Sequence, residues 1–322
     1  MKEKVAVLGG IVLFLLCVAL LGAAKSEEVN VAWTGETWTT LPFTIGASKG
    51  LFDREGLKVR FITFRGTNLI LNALMAGEID YGTTIPSIAV AAARGLPVKI
   101  VAASVQGTGY SVISRPEVGS IKGLKGRKIA ISSFGSASDY AMYRLLSRSG
   151  LDPEKDVTFL AIGGTSDRFA SLVGGSVDAT AASSPFEYKA EKQGFRTLVT
   201  VKDLAEIVEV PNLGVGVAQR KIEKDPDQIV RFLRALRASI SFIRERRDII
   251  TGLLEKTLRL EPAVAGKFYA LYRDQYNAEL TVPDKILDEF LFMANFRLKE
   301  KDKGMPRSQT IRDWRFAEIA RR

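Results

Sequence analysis

Histidine is absent from all 322 residues, and cysteine occurs once, at Cys17. The first absence removes the commonest general base and the commonest metal ligand. The second removes disulfide staples, and with them any Cys–His nucleophile pair. A transition-metal site would have to be made of carboxylates alone, which suits those ions badly. Gly163-Gly164-Thr165 is glycine-rich, but the Gly-Lys-Ser/Thr of a nucleotide-binding phosphate loop does not follow it. Low-complexity linkers are missing as well. These absences argue against catalysis and against a resident metal or cofactor. They favour domains joined by ordered chain over loosely tethered ones.

At the amino terminus, Lys2 and Lys4 precede an uncharged stretch over 5–24, most apolar at 11–21. Gly22-Ala23-Ala24 then leads into Lys25-Ser26-Glu27-Glu28. A basic n-region, an apolar h-region and a small-residue cleavage site read as an export signal over 1–24. The alternative is an uncleaved anchor, since about twenty apolar residues span a bilayer; the flanks favour cleavage. Leu16 is too large for the usual lipoprotein processing site at Cys17, and cleavage after Ala24 leaves a mature chain without cysteine. Basic residues outnumber acidic ones by 46 to 36, a net charge of +10. Arg231, Arg234, Arg237, Arg244, Arg246 and Arg247 are interleaved with Phe232, Leu233, Leu236, Ile240 and Ile243 at helical spacing. That pattern is a solvated helix face rather than a nucleic-acid surface.

One pattern occurs twice. Ala73-Leu74-Met75-Ala76-Gly77-Glu78-Ile79-Asp80 is matched by Ser171-Leu172-Val173-Gly174-Gly175-Ser176-Val177-Asp178. In each, an apolar helix stops on glycine, the residue that takes a left-handed C-cap without a Cβ clash. A short strand follows, then polar residues and proline: Thr83-Thr84-Ile85-Pro86 and Ser183-Ser184-Pro185. Proline is favoured just inside a helix start. The length fits about two domains, and the repeat makes them similar α/β lobes with a cleft between.

The alternation of short strands with helices extends along most of the chain. Strands are expected at 29–33, 59–64, 79–82, 98–103, 129–131, 157–161, 177–181, 195–201 and 213–218. Four long helices are expected at 227–247, 249–259, 262–276 and 284–298. Two crossings, near 104–114 and 208–218, divide the chain into lobe 1 (25–108 and 214–322) and lobe 2 (109–213).

Leu41-Pro42-Phe43-Thr44-Ile45-Gly46-Ala47-Ser48-Lys49-Gly50-Leu51-Phe52-Asp53-Arg54-Glu55-Gly56-Leu57-Lys58-Val59 carries a resemblance. It is similar to the solute-binding proteins of ABC importers with the NMT1/THI5-like (SsuA/TauA-like) fold. There, a helix ends Lys-Gly-Leu-Phe, and an acidic pair, Gly-Leu and a strand follow. Gly77-Glu78-Ile79-Asp80, Leu124-Lys125-Gly126-Arg127-Lys128 and Asp313-Trp314-Arg315-Phe316 match family habits too. The resemblance implies a type II periplasmic-binding-protein fold, two α/β lobes joined by a two-strand hinge with the ligand between them. It further implies a periplasmic monomer without cofactor that serves an ABC permease and ATPase at the inner membrane. Members take sulfonates, nitrate-like anions, pyrimidine precursors or aromatic acids, so no one ligand follows. A eukaryotic branch makes the thiamine pyrimidine, but its cysteine-rich motif and active-site histidine are missing here. A ligand-sensing receptor subunit remains the other alternative.

Open α/β sheets bind ligands beyond the carboxyl ends of their strands. Those ends carry Trp38 and Thr39, Thr83 and Thr84, Ser132 and Ser133 with Gly135 and Ser136, Gly164 and Thr165, and Ser183 and Ser184. Asn212 lies by the crossing. Each set precedes a helix, whose first N–H groups lack partners and whose dipole is positive there. The hydroxyls and amides suit an anionic or strongly hydrogen-bonding solute. Ordinary N-capping explains any one of them equally well. Trp38 reads either as a stacking face for a planar ligand or as packing between lobes. Tyr110 is placed near the hinge. Glu187 and Tyr188 open the helix after Pro185, where the carboxylate serves either a ligand amine or the helix terminus. Arg65 and Arg168 read first as surface residues and second as anion partners.

Overall fold

A computed structural model describes residues 26–257, 259–297 and 307–322. The expected signal over 1–24 lies outside the described residues. In chain order the strands are β1 (Glu27–Trp33), β2 (Leu57–Thr63), β3 (Tyr81–Gly82), β4 (Val98–Ala103), β5 (Tyr110–Ser114), β6 (Lys128–Ile131), β7 (Thr158–Ala161), β8 (Ala179–Ser183), β9 (Arg196–Val199) and β10 (Gly214–Ala218). They make two five-stranded sheets, ordered β2-β1-β3-β10-β4 and β7-β6-β8-β5-β9.

The two sheets follow one plan. In each, three strands are parallel, β2-β1-β3 and β7-β6-β8. An antiparallel strand that has just crossed from the other half pairs next: β10 beside β3, and β5 beside β8. The duplicated sequence pattern maps onto β3 and β8, which occupy the same place in their sheets. Gly77 takes φ +81 and its N–H bonds Ala73 O and Leu74 O, the C-cap expected. In the second copy the left-handed residue is Gly175 (φ +76), one position after the cap at Gly174.

Between the sheets the chain crosses twice, and the crossings are hydrogen-bonded to one another. Ser104 and Val105 donate their N–H groups to Leu213 O, and Asn212 N–H donates to Gly107 O. The apolar packing runs across the gap: one cluster joins Ile70, Ile85 and Ile88 of the first half to Tyr110, Ile129 and Leu145 of the second. Helix Pro226–Glu245 buries Ile229, Phe232, Leu233, Leu236, Ile240 and Ile243 in the cluster that also holds Val29 and Val31 of β1. Its arginines point outward and tie to neighbours: Arg231 to Glu27 at 2.8 Å, Arg234 to Glu55 at 3.1 Å.

Two expectations need correction. The run expected as one strand over 195–201 ends at Val199, and a helix, Val201–Ile207, follows. Thr200 caps it, accepting from Asp203 N–H at 3.3 Å, so the Thr-x-x-Asp signal outweighs the apolar run. The helix expected over 262–276 ends at Tyr272, with a 3-10 turn over Arg273–Gln275.

Candidate ligand-binding site

The carboxyl ends of β1, β3, β6 and β8 face one another across the gap between the sheets. The residues that follow them line a cavity of about 40 Å³, counted as space open to the centre of a water molecule. One water needs roughly 10–15 Å³ on that measure, so the space holds about three water-sized groups. The helices Leu41–Ser48, Thr67–Ala76, Ile85–Ala93, Ala137–Arg148 and Thr165–Val173 all begin at its wall, through Thr40, Thr67, Thr84, Ser136 and Thr165.

Eight of the expected residues lie on the wall: Thr39, Thr83, Thr84, Ser132, Ser136, Thr165, Ser183 and Asn212. Five do not. Trp38 is fully buried behind the wall, Nε1–H bonded to Gly109 O at 3.1 Å and its ring stacked on Tyr272 at 4.4 Å. Lobe packing is therefore its role in this arrangement. Ser133 bonds Thr67 Oγ1 at 2.7 Å across the gap. Ser184 turns away toward Glu187 and Tyr272. Gly135 lines two other grooves, and Gly164 stands close against Thr34 O of the opposite half.

Hydroxyls that cap a helix now separate from those that do not. Ser136 is a true N-cap, accepting from Asp139 N–H at 3.3 Å. Thr84 precedes its helix without making a cap bond. Among the described residues, the hydroxyls of Thr84 and Ser183 have no hydrogen-bond partner, although both residues are at least 95% buried. Sequence reasoning missed Thr34, Gly35, Thr37, Thr40, Thr67, Ile70, Ala137 and Leu213, all on the wall. Thr34 and Gly35 directly follow β1, so the carboxyl-end rule would have found them.

Arg168 is the main correction. It is 1% exposed, not a surface residue, and it is the one charged side chain on the wall. Nε donates to Thr180 Oγ1 at 3.1 Å and Nη1 to Gly163 O at 2.5 Å. Nη2 donates to Thr165 Oγ1 at 3.1 Å and Ala181 O at 2.9 Å. The guanidinium also stands over the Tyr110 ring at 6.0 Å. Every one of these acceptors is neutral; the Asp167 carboxylate attracts the charge, but no carboxylate among the described residues forms an ion pair with it. Burial lowers its pKa, but a guanidinium stays protonated. Burying an ion without a counter-ion is expensive. Arg65, by contrast, is exposed and off the wall.

Tyr110 is on β5, and its hydroxyl donates to Asn212 Oδ1 at 3.4 Å; Asn212 Nδ2 in turn donates to Thr108 O at 2.6 Å. These bonds tie the wall to both crossings. Glu187 is buried away from the cavity, and Tyr188 packs on the apolar cluster of the first sheet. Among the described residues no group of three or more His, Cys, Asp or Glu is placed to hold a metal, and no helix is long and apolar enough to cross a membrane.

The halves touch through glycine. An ideal Cβ on Gly164 would stand 2.5 Å from Thr34 O of the opposite half. Gly164 has φ −60° and ψ 165°, which any residue adopts. Gly164→Ala should therefore fold normally while wedging the halves apart. We expect an unchanged melting temperature without ligand and at least tenfold weaker ligand binding by calorimetry; unchanged affinity would refute the close approach.

Residues 39–248 match the profile of the family described as NMT1/THI5 like. A protein of Bacillus subtilis (strain 168), named provisionally as an aliphatic sulfonates-binding protein, is 27% identical over 82% of this chain and 81% of its own length. The alkanesulfonate-binding protein SsuA of Xanthomonas axonopodis pv. citri, solved with MOPS, superposes with a TM-score of 0.72 at 18% identity, over 90% of this chain and all of that one. The periplasmic nitrate-binding protein NrtA of Synechocystis PCC 6803 gives 0.74 at 13% identity, over 92% and 88%. These likenesses agree with the two-sheet plan: the fold is the type II periplasmic-binding-protein fold. With the profile spanning most of both sheets and both crossings, the chain belongs to the NMT1/THI5-like family.

Proposed function

We propose that this protein is the exported solute-binding component of an ABC importer, and that its ligand is a small organic anion. The observation that carries the reading is Arg168, a buried cation on a cavity wall with only neutral partners. An anion in the cavity supplies the missing counter-charge. Thr84 and Ser183 supply unused hydroxyls, and the helix starts supply dipoles of the right sign. Hydrogen bonds to a charged partner contribute roughly 1.5–3 kcal/mol each, and micromolar affinity needs about 8 kcal/mol net. Four or five such bonds, with apolar contact, are enough.

Binding works by hinge closure. The ligand touches both halves only when they meet, so it shifts the population toward the closed form. The crossings at 104–109 and 208–213 bend, and the outer faces dock on the permease, which an ATPase drives. The protein acts in the periplasm, as a monomer, after removal of residues 1–24. It binds no nucleic acid and performs no chemistry: thiamine-pyrimidine synthesis would need a histidine and a cysteine-rich motif, and the chain offers neither.

Gentle purification followed by mass spectrometry of the bound solute tests this directly. The expected solute is an organic acid, such as a sulfonate or carboxylate. A thermal-shift panel should show stabilisation by that class, because a ligand binding only the native form raises its melting temperature. Recovery of a cationic amine, with no shift by any anion, would overturn the reading.

A further inference from the structure

Away from the cavity, a carboxyl group is buried at the seam between the halves. Glu187 stands on the first turn of helix Phe186–Lys192, just beyond β8, and is 5% exposed. Its Oε1 accepts from the Tyr272 hydroxyl at 3.1 Å and from Ser184 Oγ. Ser184 Oγ and Tyr272 Oη are themselves 2.9 Å apart. Oε2 is buried with no hydrogen-bond partner. Tyr272 ends the helix Pro262–Tyr272, which packs into the apolar cluster of the first sheet. The contact therefore spans the seam, and Trp38 N–H fixes its register by donating to Ser184 O at 3.3 Å.

The surroundings hold no counter-charge. On its own helix the charged or titratable neighbours are Tyr188 and Glu191; from the facing helix it meets Tyr272. Ser184 and Trp38, on the two loops packed against it, do not titrate near neutrality. Lys189 stands over the Phe186 ring at 4.9 Å. Among the described residues no cation pairs with Glu187. An ionised carboxylate here keeps one buried oxygen without a protein donor, a costly state. A protonated one loses little.

We propose that Glu187 is a proton-coupled latch on closure: the closed form holds this carboxyl protonated against Tyr272, and opening lets it ionise in water. The inference rests on the hinge-closure reading. Burial raises the closed-state pKa to about 7, with the backbone N–H of Glu187 and the Tyr272 bond partly opposing and Glu191 adding to it. A hydrated glutamate has a pKa of about 4.3. The sign follows from linkage. The group is raised in the closed form, so its support for closure is complete below the open-state value. It is lost as pH rises through about 7. The closed-to-open ratio falls about tenfold per pH unit between about 5 and 7, then levels off.

A disulfide reports closure without needing the ligand. Thr67 Oγ1 and Ser133 Oγ are 2.7 Å apart across the seam, within reach of a bridge when both become cysteine. In the full chain carrying Thr67→Cys, Ser133→Cys and Cys17→Ser, equilibration with glutathione gives an effective concentration proportional to the closed fraction. Dividing by the same chain with Glu187→Gln cancels the pH dependence of the thiols. The expected ratio falls about tenfold from pH 6 to pH 8. Tyr272→Phe, which removes the donor to the ionised form, should move that fall to higher pH and keeps the test open should Glu187→Gln not fold. A flat ratio overturns the latch. If Gly164→Ala then still lowers the effective concentration, hinge closure survives alone; if it has no effect, both readings fall.

Discussion

Arg168→Met should abolish useful binding of the co-purified anion, with affinity lowered about 30-fold to several thousand-fold. The range follows from truncating one partner of a buried charge pair, which costs about 2–5 kcal/mol. Added salt should not reproduce the effect, because a buried pair is screened little. Arg168→Lys is the sharper variant. It keeps the charge, but three ammonium donors cannot reach Thr180 Oγ1, Gly163 O, Thr165 Oγ1 and Ala181 O together. Its affinity should fall between those of wild type and Arg168→Met. Without ligand, Arg168→Met relieves a buried charge but removes the donor to four acceptors, of which Ala181 O and the Thr180 hydroxyl keep other bonds. Those effects oppose, so the melting temperature should change far less than the affinity does. Titration calorimetry on both variants decides it. Full affinity in both would remove Arg168 from the site and leave the anionic reading without its main support.

Much of the fold was legible because its signals are local. Gly77 and Gly175 stop helices, Pro86 and Pro185 open them, and β3 and β8 lie between. The walls of the cavity were legible for a related reason: a strand end followed by Ser or Thr and a helix start is a sequence pattern. What stayed hidden depends on chain brought from far away. Arg168 looks like any polar residue on helix Thr165–Val173. Its burial is decided by the Ala181 carbonyl and Thr180 hydroxyl of β8 and by Tyr110 of β5, which arrives from the other half. The side chains of Trp38 and Ser184 turn to the back of the wall because Tyr272, nearly 90 residues beyond Ser184, waits there. No periodicity within 38–40 or 183–185 encodes that. The insertion of β10 between β3 and β4 is equally non-local.

Trp38→Ala should destabilise the fold by about 3–5 kcal/mol, the usual range for emptying a buried tryptophan site. For a chain of this size that is a fall of roughly 10 °C in melting temperature. The ring stacks on Tyr272 at 4.4 Å and leans on Tyr276 at 5.6 Å, and its Nε1–H satisfies Gly109 O. Gly109 itself sits at φ +64°, with the indole filling the space where a Cβ would stand. The ring thus braces the first crossing, while its backbone holds Ser184 of the opposite half. Binding should weaken too, through loss of the closed geometry rather than of a ligand contact. Trp38→Phe separates the two: it keeps the stack on Tyr272 and loses the bond to Gly109 O, which costs about 1–3 kcal/mol. If the ring serves as a brace, thermal unfolding should rank the variants wild type, Phe, Ala, and affinity should follow the same order. If instead Trp38→Ala melts with wild type and only binding collapses, the indole touches the ligand, and the polar cavity in front of it is not the whole site.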